Sequence, residues 1–105
     1  MITAKAHFSV GDLVHHKLFD YRGVIVDVDP CLMLSDDWYE AVARSRPPKD
    51  QPWYRVLVHD ALHETYVAER NLAPDTSGAP VRHPLIKACF DSFSDGHYAT
   101  TERMN

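Results

Sequence analysis

The feature that most constrains this chain is the unbroken stretch Phe8 to Pro30, F-S-V-G-D-L-V-H-H-K-L-F-D-Y-R-G-V-I-V-D-V-D-P. It packs a strand, a tight reversal and a second strand into one short run of alternating apolar and branched residues. Leu13 to Lys17 is predicted as the first strand, with Val14 and His16 on one face and Leu13 and His15 on the other. Leu18 to Arg22 forms the connection, and Gly23 supplies the permissive backbone of a tight turn or bulge. Gly23 to Asp29 is the second strand. Strict alternation there places Val24, Val26 and Val28 on one face and Ile25, Asp27 and Asp29 on the other. Pro30 ends it by removing a ladder donor.

The remaining chain extends this β pattern. Asp37 and Glu40 have the spacing of a capping box, which predicts a short helix over about Trp38 to Ala43. It sits inside a long connection from Cys31 to Pro52, whose prolines Pro47, Pro48 and Pro52 exclude regular structure at its end. Trp53 to His59 and Glu64 to Ala68 read as two further strands around a turn at Asp60 to His63, and Glu69 to Leu72 as one helical or 3₁₀ turn. Ala73 to His83 reads as a linker. Leu85, Ile86, Cys89, Phe90 and Phe93 then fall on one apolar helical stripe, started by Pro84 and stopped by Gly96, with a polar tail from His97. Short strands, turns and one long insertion give a mainly β fold: a small SH3-like antiparallel barrel with a short helix in a long loop and a C-terminal helix. The expected organisation is a barrel domain over residues 1–76, with linker, helix and tail over 77–105. The helix would cover the barrel's edge or pack between subunits, anchored by Phe90 and Phe93.

Composition limits the function. A chain of 105 residues is one domain with a modest core. No apolar run approaches the roughly 20 residues of a membrane helix, and residues 1–8 show no secretory signal, so no membrane partner and a cytoplasmic location are expected. Cys31 and Cys89 form no C-x-x-C pair and read as reduced thiols. A net charge of −4 argues against coating nucleic acid through bulk charge, although the seven histidines would move it toward zero on mild acidification.

The polar residues offer little catalysis. His16 and Asp29 resemble an acid–base couple, but no nucleophile or oxyanion device accompanies them. The plainer reading makes His16 an interior hydrogen-bonding residue and Asp29 an acceptor of local backbone N–H groups at a strand-ending turn. His15 and His16 point to opposite faces, and His59 and His63, which straddle a hairpin, lack the further ligands of a standard metal site. No metal, cofactor or enzymatic activity is expected. The binding residues are easier to nominate. Trp38, Tyr39, Trp53 and Tyr54 bracket the proline loop, either as core and loop anchors or as a recognition surface. Trp38 and Tyr39, with Phe90 and Phe93, are the candidate protein-contacting set. Arg44, Arg46 and Lys49, joined by Lys17, Arg22 and Arg55, are the candidate phosphate-contacting set for DNA, with Asp36, Asp37, Glu40 and Asp50 opposing it nearby.

Three ordered blocks carry a family resemblance. Gly11, Val14, His16, Tyr21, Gly23, Val24, Ile25, Asp27, Asp29 and Pro30 match G-x-x-V-x-H-x-x-x-x-Y-x-G-V-I-x-D-x-D-P. Pro52 to Val58 match P-W-Y-x-V-L-V, and Tyr66 to Leu72 match Y-V-A-E-x-N-L. Over residues 8–72 the chain resembles the YccV-like, or HspQ, family of hemimethylated-DNA-binding and heat-shock proteins. The ending His83 to Tyr98 is similar to a variant tail of some members. The resemblance implies a non-enzymatic cytoplasmic protein with an SH3-like barrel, acting on hemimethylated DNA, as substrate or specificity-enhancing factor of the ATP-dependent protease Lon, or both. Related domains in plastid protease adaptors favour protein recognition as the general task. The resemblance also implies a self-associated form, such as a trimer.

Overall fold

A computed structural model describes residues 5–100. The chain is mainly β. Its centre is an antiparallel five-stranded sheet of order β4-β3-β2-β1-β5, built from β1 (Leu13–His16), β2 (Arg22–Asp29), β3 (Trp53–Val58), β4 (Glu64–Ala68) and β5 (Leu72–Pro74). A 3₁₀ turn, Glu69–Asn71, carries the chain from one edge strand to the other. The sheet is open, because β4 and β5 pair with β3 and β1 respectively and not with each other. A second sheet is the hairpin of β6 (Ser92–Ser94) and β7 (His97–Ala99).

Both faces of the large sheet are buried, each by the alternate residues of its strands. The inner face gathers Val14, Ile25, Tyr54, Val56, Val67 and Leu72, with Phe8, Tyr21 and Val28 against them. The outer face is covered in two separate parts. One part packs Leu13, Val24 and Leu57 against Val81, Phe90 and Tyr98 from the C-terminal segment. The other packs Trp53 and Ala68 against Tyr39, with Leu32, Trp38, Ala43 and Tyr66 around them.

Several local expectations change. Strict alternation along β2 fails at Val26, where the pairing with β3 shifts between Ile25 and Asp27. This bulge moves Val28 to the inner cluster that holds Ile25, while Val24 belongs to the outer one. Gly23 is not in the turn but within β2, and it is there for space. A Cβ at that position would lie 2.4 Å from Val56 Cγ1 and 2.6 Å from the Leu57 carbonyl oxygen. The reversal uses Asp20 instead, at φ 58°. The insertion helix α1 (Asp36–Val42) is capped by Ser35, whose Oγ accepts the Trp38 N–H at 3.1 Å; Asp37 lies inside the first turn.

The C-terminal helix is one turn long, α2 (Ile86–Cys89), and does not reach Phe93. Phe93 lies in β6, opposite Tyr98 in β7. Asp95 (φ 53°) and Gly96 (φ 72°) form the two-residue turn, the Asp-Gly pair favoured in tight hairpins. Gly96 therefore turns a hairpin and does not stop a helix. The supposed linker is also structured, since Leu72–Pro74 adds β5 to the sheet and Val81 is buried. The first residues of the polar tail form β7, and the rest, 101–105, lie outside the described residues.

Candidate functional site

A groove of about 670 Å³ runs beside the edge strand β4. Three stretches distant in sequence form it. Leu34, Trp38, Val42, Ala43, Arg44, Ser45 and Pro47 make one wall. His16, Leu18, Phe19 and Tyr21 make another, and the residues of β4 with Trp53 and Arg55 make the floor. Phe19, Leu18 and Val42 are large apolar side chains left 72%, 56% and 54% exposed at this surface. Isolated exposed apolar residues need no explanation, but several converging on one concavity mark a recognition surface.

Each wall has a specific anchor. Trp53 is buried and donates its indole N–H to the Pro48 carbonyl at 3.1 Å. The Tyr39 hydroxyl donates to the Pro47 carbonyl at 2.7 Å, so two aromatics hold the proline loop. Trp38 and Tyr39 thus divide their roles: Tyr39 is buried beneath the loop, and Trp38 lines the groove edge-on to Trp53 and Tyr66. Tyr66 donates its hydroxyl to Asp29 Oδ2 at 2.6 Å and accepts the Met33 N–H at 3.1 Å. Burial, reinforced by that carboxylate, pushes the Tyr66 phenol well above its usual range. Asp29 therefore receives a tyrosine from across the sheet and not the local backbone N–H groups expected of it.

The opposite wall depends on His16. Its ring is buried, stacks on Phe19 at 4.7 Å, and accepts the N–H groups of Leu18 and Phe19 at Nδ1, each at 3.1 Å. This bonding needs the neutral ring with its proton on Nε2. Burial first, and the neighbouring His15 second, lower its pKa below the usual histidine value. His16 is thus an interior hydrogen-bonding residue that fixes the lip carrying Leu18 and Phe19. The two aliphatic hydroxyls of the groove are also engaged, Thr65 with the Tyr21 hydroxyl at 2.6 Å and Ser45 with the Asn71 amide at 3.1 Å. His59 accepts the Arg82 N–H, and among the described residues no group of three or more His, Cys, Asp or Glu could hold a metal ion.

The candidate phosphate-contacting residues do not form one basic patch. Arg22 is partly buried, paired with Asp75 at 2.8 Å and bonded to the Ala79 carbonyl, where it ties the segment after β5 to the sheet. Arg46 pairs with Glu40 at 2.6 Å and Lys49 with Asp36 at 3.2 Å, both also lying over the Tyr39 ring. Arg55 contacts Glu64 at 3.3 Å and Asp27 at 3.8 Å and lies over Tyr66. Only Lys17 and Arg44 of the six carry side chains without a hydrogen bond or ion pair to another described residue. Phe90 and Phe93 pack on Tyr98 inside the C-terminal cover, away from the groove. Of the candidate binding residues, Trp38, Arg44 and Arg55 line the groove; the large exposed or aromatic lining residues Leu18, Phe19, Val42 and Tyr66 are among those absent from the sequence-based set. Their one local signal is the apolar Leu18-Phe19 pair inside a turn, and it becomes legible only once the edge these residues share is known.

Comparison with known families bears on the whole arrangement. The family model described as hemimethylated DNA-binding protein YccV like matches residues 6–97. The chain belongs to the YccV-like family. The match extends past the three sequence blocks through β5, α2 and the β6–β7 turn to His97, so it takes in Val81 and Phe90 of the C-terminal cover and stops just before Tyr98. It also means that the groove beside β4 lies wholly within that unit.

Proposed function

We propose that this YccV-like protein is a non-enzymatic recognition domain that modulates ATP-dependent, Lon-type proteolysis, as substrate or specificity-enhancing factor, through the groove beside β4. The observation that carries this reading is the groove's chemistry: exposed Leu18, Phe19 and Val42 beside Trp38 and Tyr66, apolar and aromatic groups of the kind that anchor protein contacts. A stress-linked role and self-association belong to the same reading. The test is the degradation rate of a Lon substrate with and without the purified chain. A changed rate supports the reading, and no change across several substrates, with the protease shown to be active, contradicts it.

A second reading, hemimethylated DNA binding by this chain, is favoured by the family description. Its weakness is electrostatic, because four of the six candidate cations already face carboxylates. It predicts duplex binding that falls steeply with salt and weakens when Arg44, Arg46 and Lys49 become alanine. Absence of binding to hemimethylated and unmethylated duplex at low salt would sink it.

A further inference from the structure

The two edges of the large sheet are unequal. β5 is three residues long and ends in Pro74, features that blunt an edge against pairing. β4 is five residues long, has no proline, and borders the groove. Its pairing with β3 shows which way each peptide group points. The Glu69 N–H bonds the Pro52 carbonyl at 3.0 Å and the Val58 N–H bonds the His63 carbonyl at 3.4 Å, both directly opposite pairs in the register that matches Arg55 with Tyr66. Hydrogen-bonded and non-hydrogen-bonded pairs alternate in an antiparallel ladder. Thr65 and Val67 therefore bond β3, while the N–H groups of Glu64, Tyr66 and Ala68 face away from it, toward the open side.

The side chains of β4 agree. Glu64, Tyr66 and Ala68 lie on one face of the sheet and Thr65 and Val67 on the other, yet all of them line the same groove. A groove touching both faces of one strand runs along its edge. We propose that this edge binds an extended, apolar peptide segment of a partner protein as an added strand, with an acidic residue meeting Arg44. An added strand would bond the outward groups of β4 and send alternate side chains toward the Leu18–Phe19 lip and the Trp38–Val42 wall. Charge selects the acidic residue. Of the charged groups lining the groove, Arg55 and Glu64 already pair at 3.3 Å, His16 is held neutral by its bonds, and Arg44 has no partner among the described residues. The inference rests on the groove as the recognition site named above and adds the occupant's conformation and chemistry.

The experiment selects a displayed random heptapeptide library on the immobilised full chain, then measures amide hydrogen exchange with the strongest peptide bound. Enriched sequences should alternate apolar residues and carry an acidic one. Exchange should slow about tenfold or more at Glu64, Tyr66 and Ala68 and stay unchanged at Thr65 and Val67, the signature of new bonds on one edge. N-methylation of the peptide at alternate residues should abolish binding in one register and spare it in the other, and Arg44→Ala should weaken binding about tenfold. Failure to enrich any peptide, or protection without alternation, overturns the proposal. So does protection of the same amides by hemimethylated duplex in place of peptide, or by raised protein concentration alone, which assigns the edge to nucleic acid or to a second copy. A changed Lon degradation rate without alternating protection overturns this inference and leaves the functional reading standing; alternating protection without any effect on degradation does the reverse.

Discussion

The outer face of one sheet is covered twice, and the two covers differ in kind. At the C-terminal end, Val81, Phe90 and Tyr98 seal Leu13, Val24 and Leu57, and polar bonds lock the seal. The Tyr98 hydroxyl meets the Val81 backbone at 2.9 Å, Arg22 grips Asp75, and Gly11 lets β7 approach so closely that a Cβ there would lie 2.1 Å from the Tyr98 carbonyl oxygen. At the other end the α1 segment covers Trp53 but stops short of the Leu18–Phe19 turn, and the space between them is the groove. The sealed end contributes stability, and the open end leaves a strand edge and apolar side chains available to a partner. The basic residues sort the same way: Arg22 is committed to the seal, while the Arg44 side chain at the opening pairs with no other described residue.

The largest expected effect comes from breaking the open end at its root. Trp53→Ala should lower unfolding free energy by about 3–5 kcal/mol in chemical denaturation, since it empties a fully buried aromatic site and releases the Pro48 carbonyl. Breaking the sealed end comes next. Arg22→Ala should cost about 2 kcal/mol by the same measurement, because the largely buried Asp75 loses its counter-charge and keeps only the Ser77 hydroxyl, and Lon-substrate degradation should still respond to the variant. Equal loss of the degradation effect in Arg22→Ala and in groove variants would erase the division of labour between the two ends.

A smaller effect sharpens the comparison through pH. The folded-state pKa of His16 is lowered, so the unfolded chain takes up this proton first. The stabilising effect of neutral His16 is complete above the unfolded value of about 6.5 and is lost as pH falls from there through the folded value. His16→Asn, which retains an acceptor for the Leu18 and Phe19 N–H groups, should flatten that part of the stability–pH curve relative to wild type. An unchanged slope below about pH 6.5 would remove His16 as the group that holds the lip. The smallest stability effect is expected for Phe19→Ser, within about 0.5 kcal/mol by thermal melting, because the side chain is mostly exposed. The same variant should nonetheless lose most of the effect on proteolysis.

Much of the sheet was legible from short-range pattern. Val14, Ile25, Val56 and Val67 recur at strand spacing, and β1 to β4 fall where those residues place them. The bulge at Val26 was not, because it depends on the register with β3 and not on the alternation within β2. The C-terminal segment departs from its local pattern for a different reason. Leu85 to Phe93 satisfies a helical stripe, while the Asp95-Gly96 turn signal favours a hairpin, and the tight approach of Tyr98 to Gly11 favours the hairpin in the fold. The groove was least legible. His16, Phe19, Val42 and Tyr66 come from stretches with no shared local pattern, and only the open edge of β4 makes them neighbours. The basic cluster was conspicuous in sequence for the opposite reason, since its neutralising carboxylates Asp36 and Glu40 are themselves close in the chain but their pairing is set by α1.

The most direct test sets the groove against the basic loop in one assay. The degradation rate of a Lon substrate should be measured with the wild-type chain, with Phe19→Ser combined with Val42→Ser, and with Arg46→Ala combined with Lys49→Ala. Recognition through the groove predicts that the first pair of substitutions abolishes the effect on rate and that the second preserves it. Loss of the effect in the loop variant alone, with the groove variant behaving as wild type, would contradict the account.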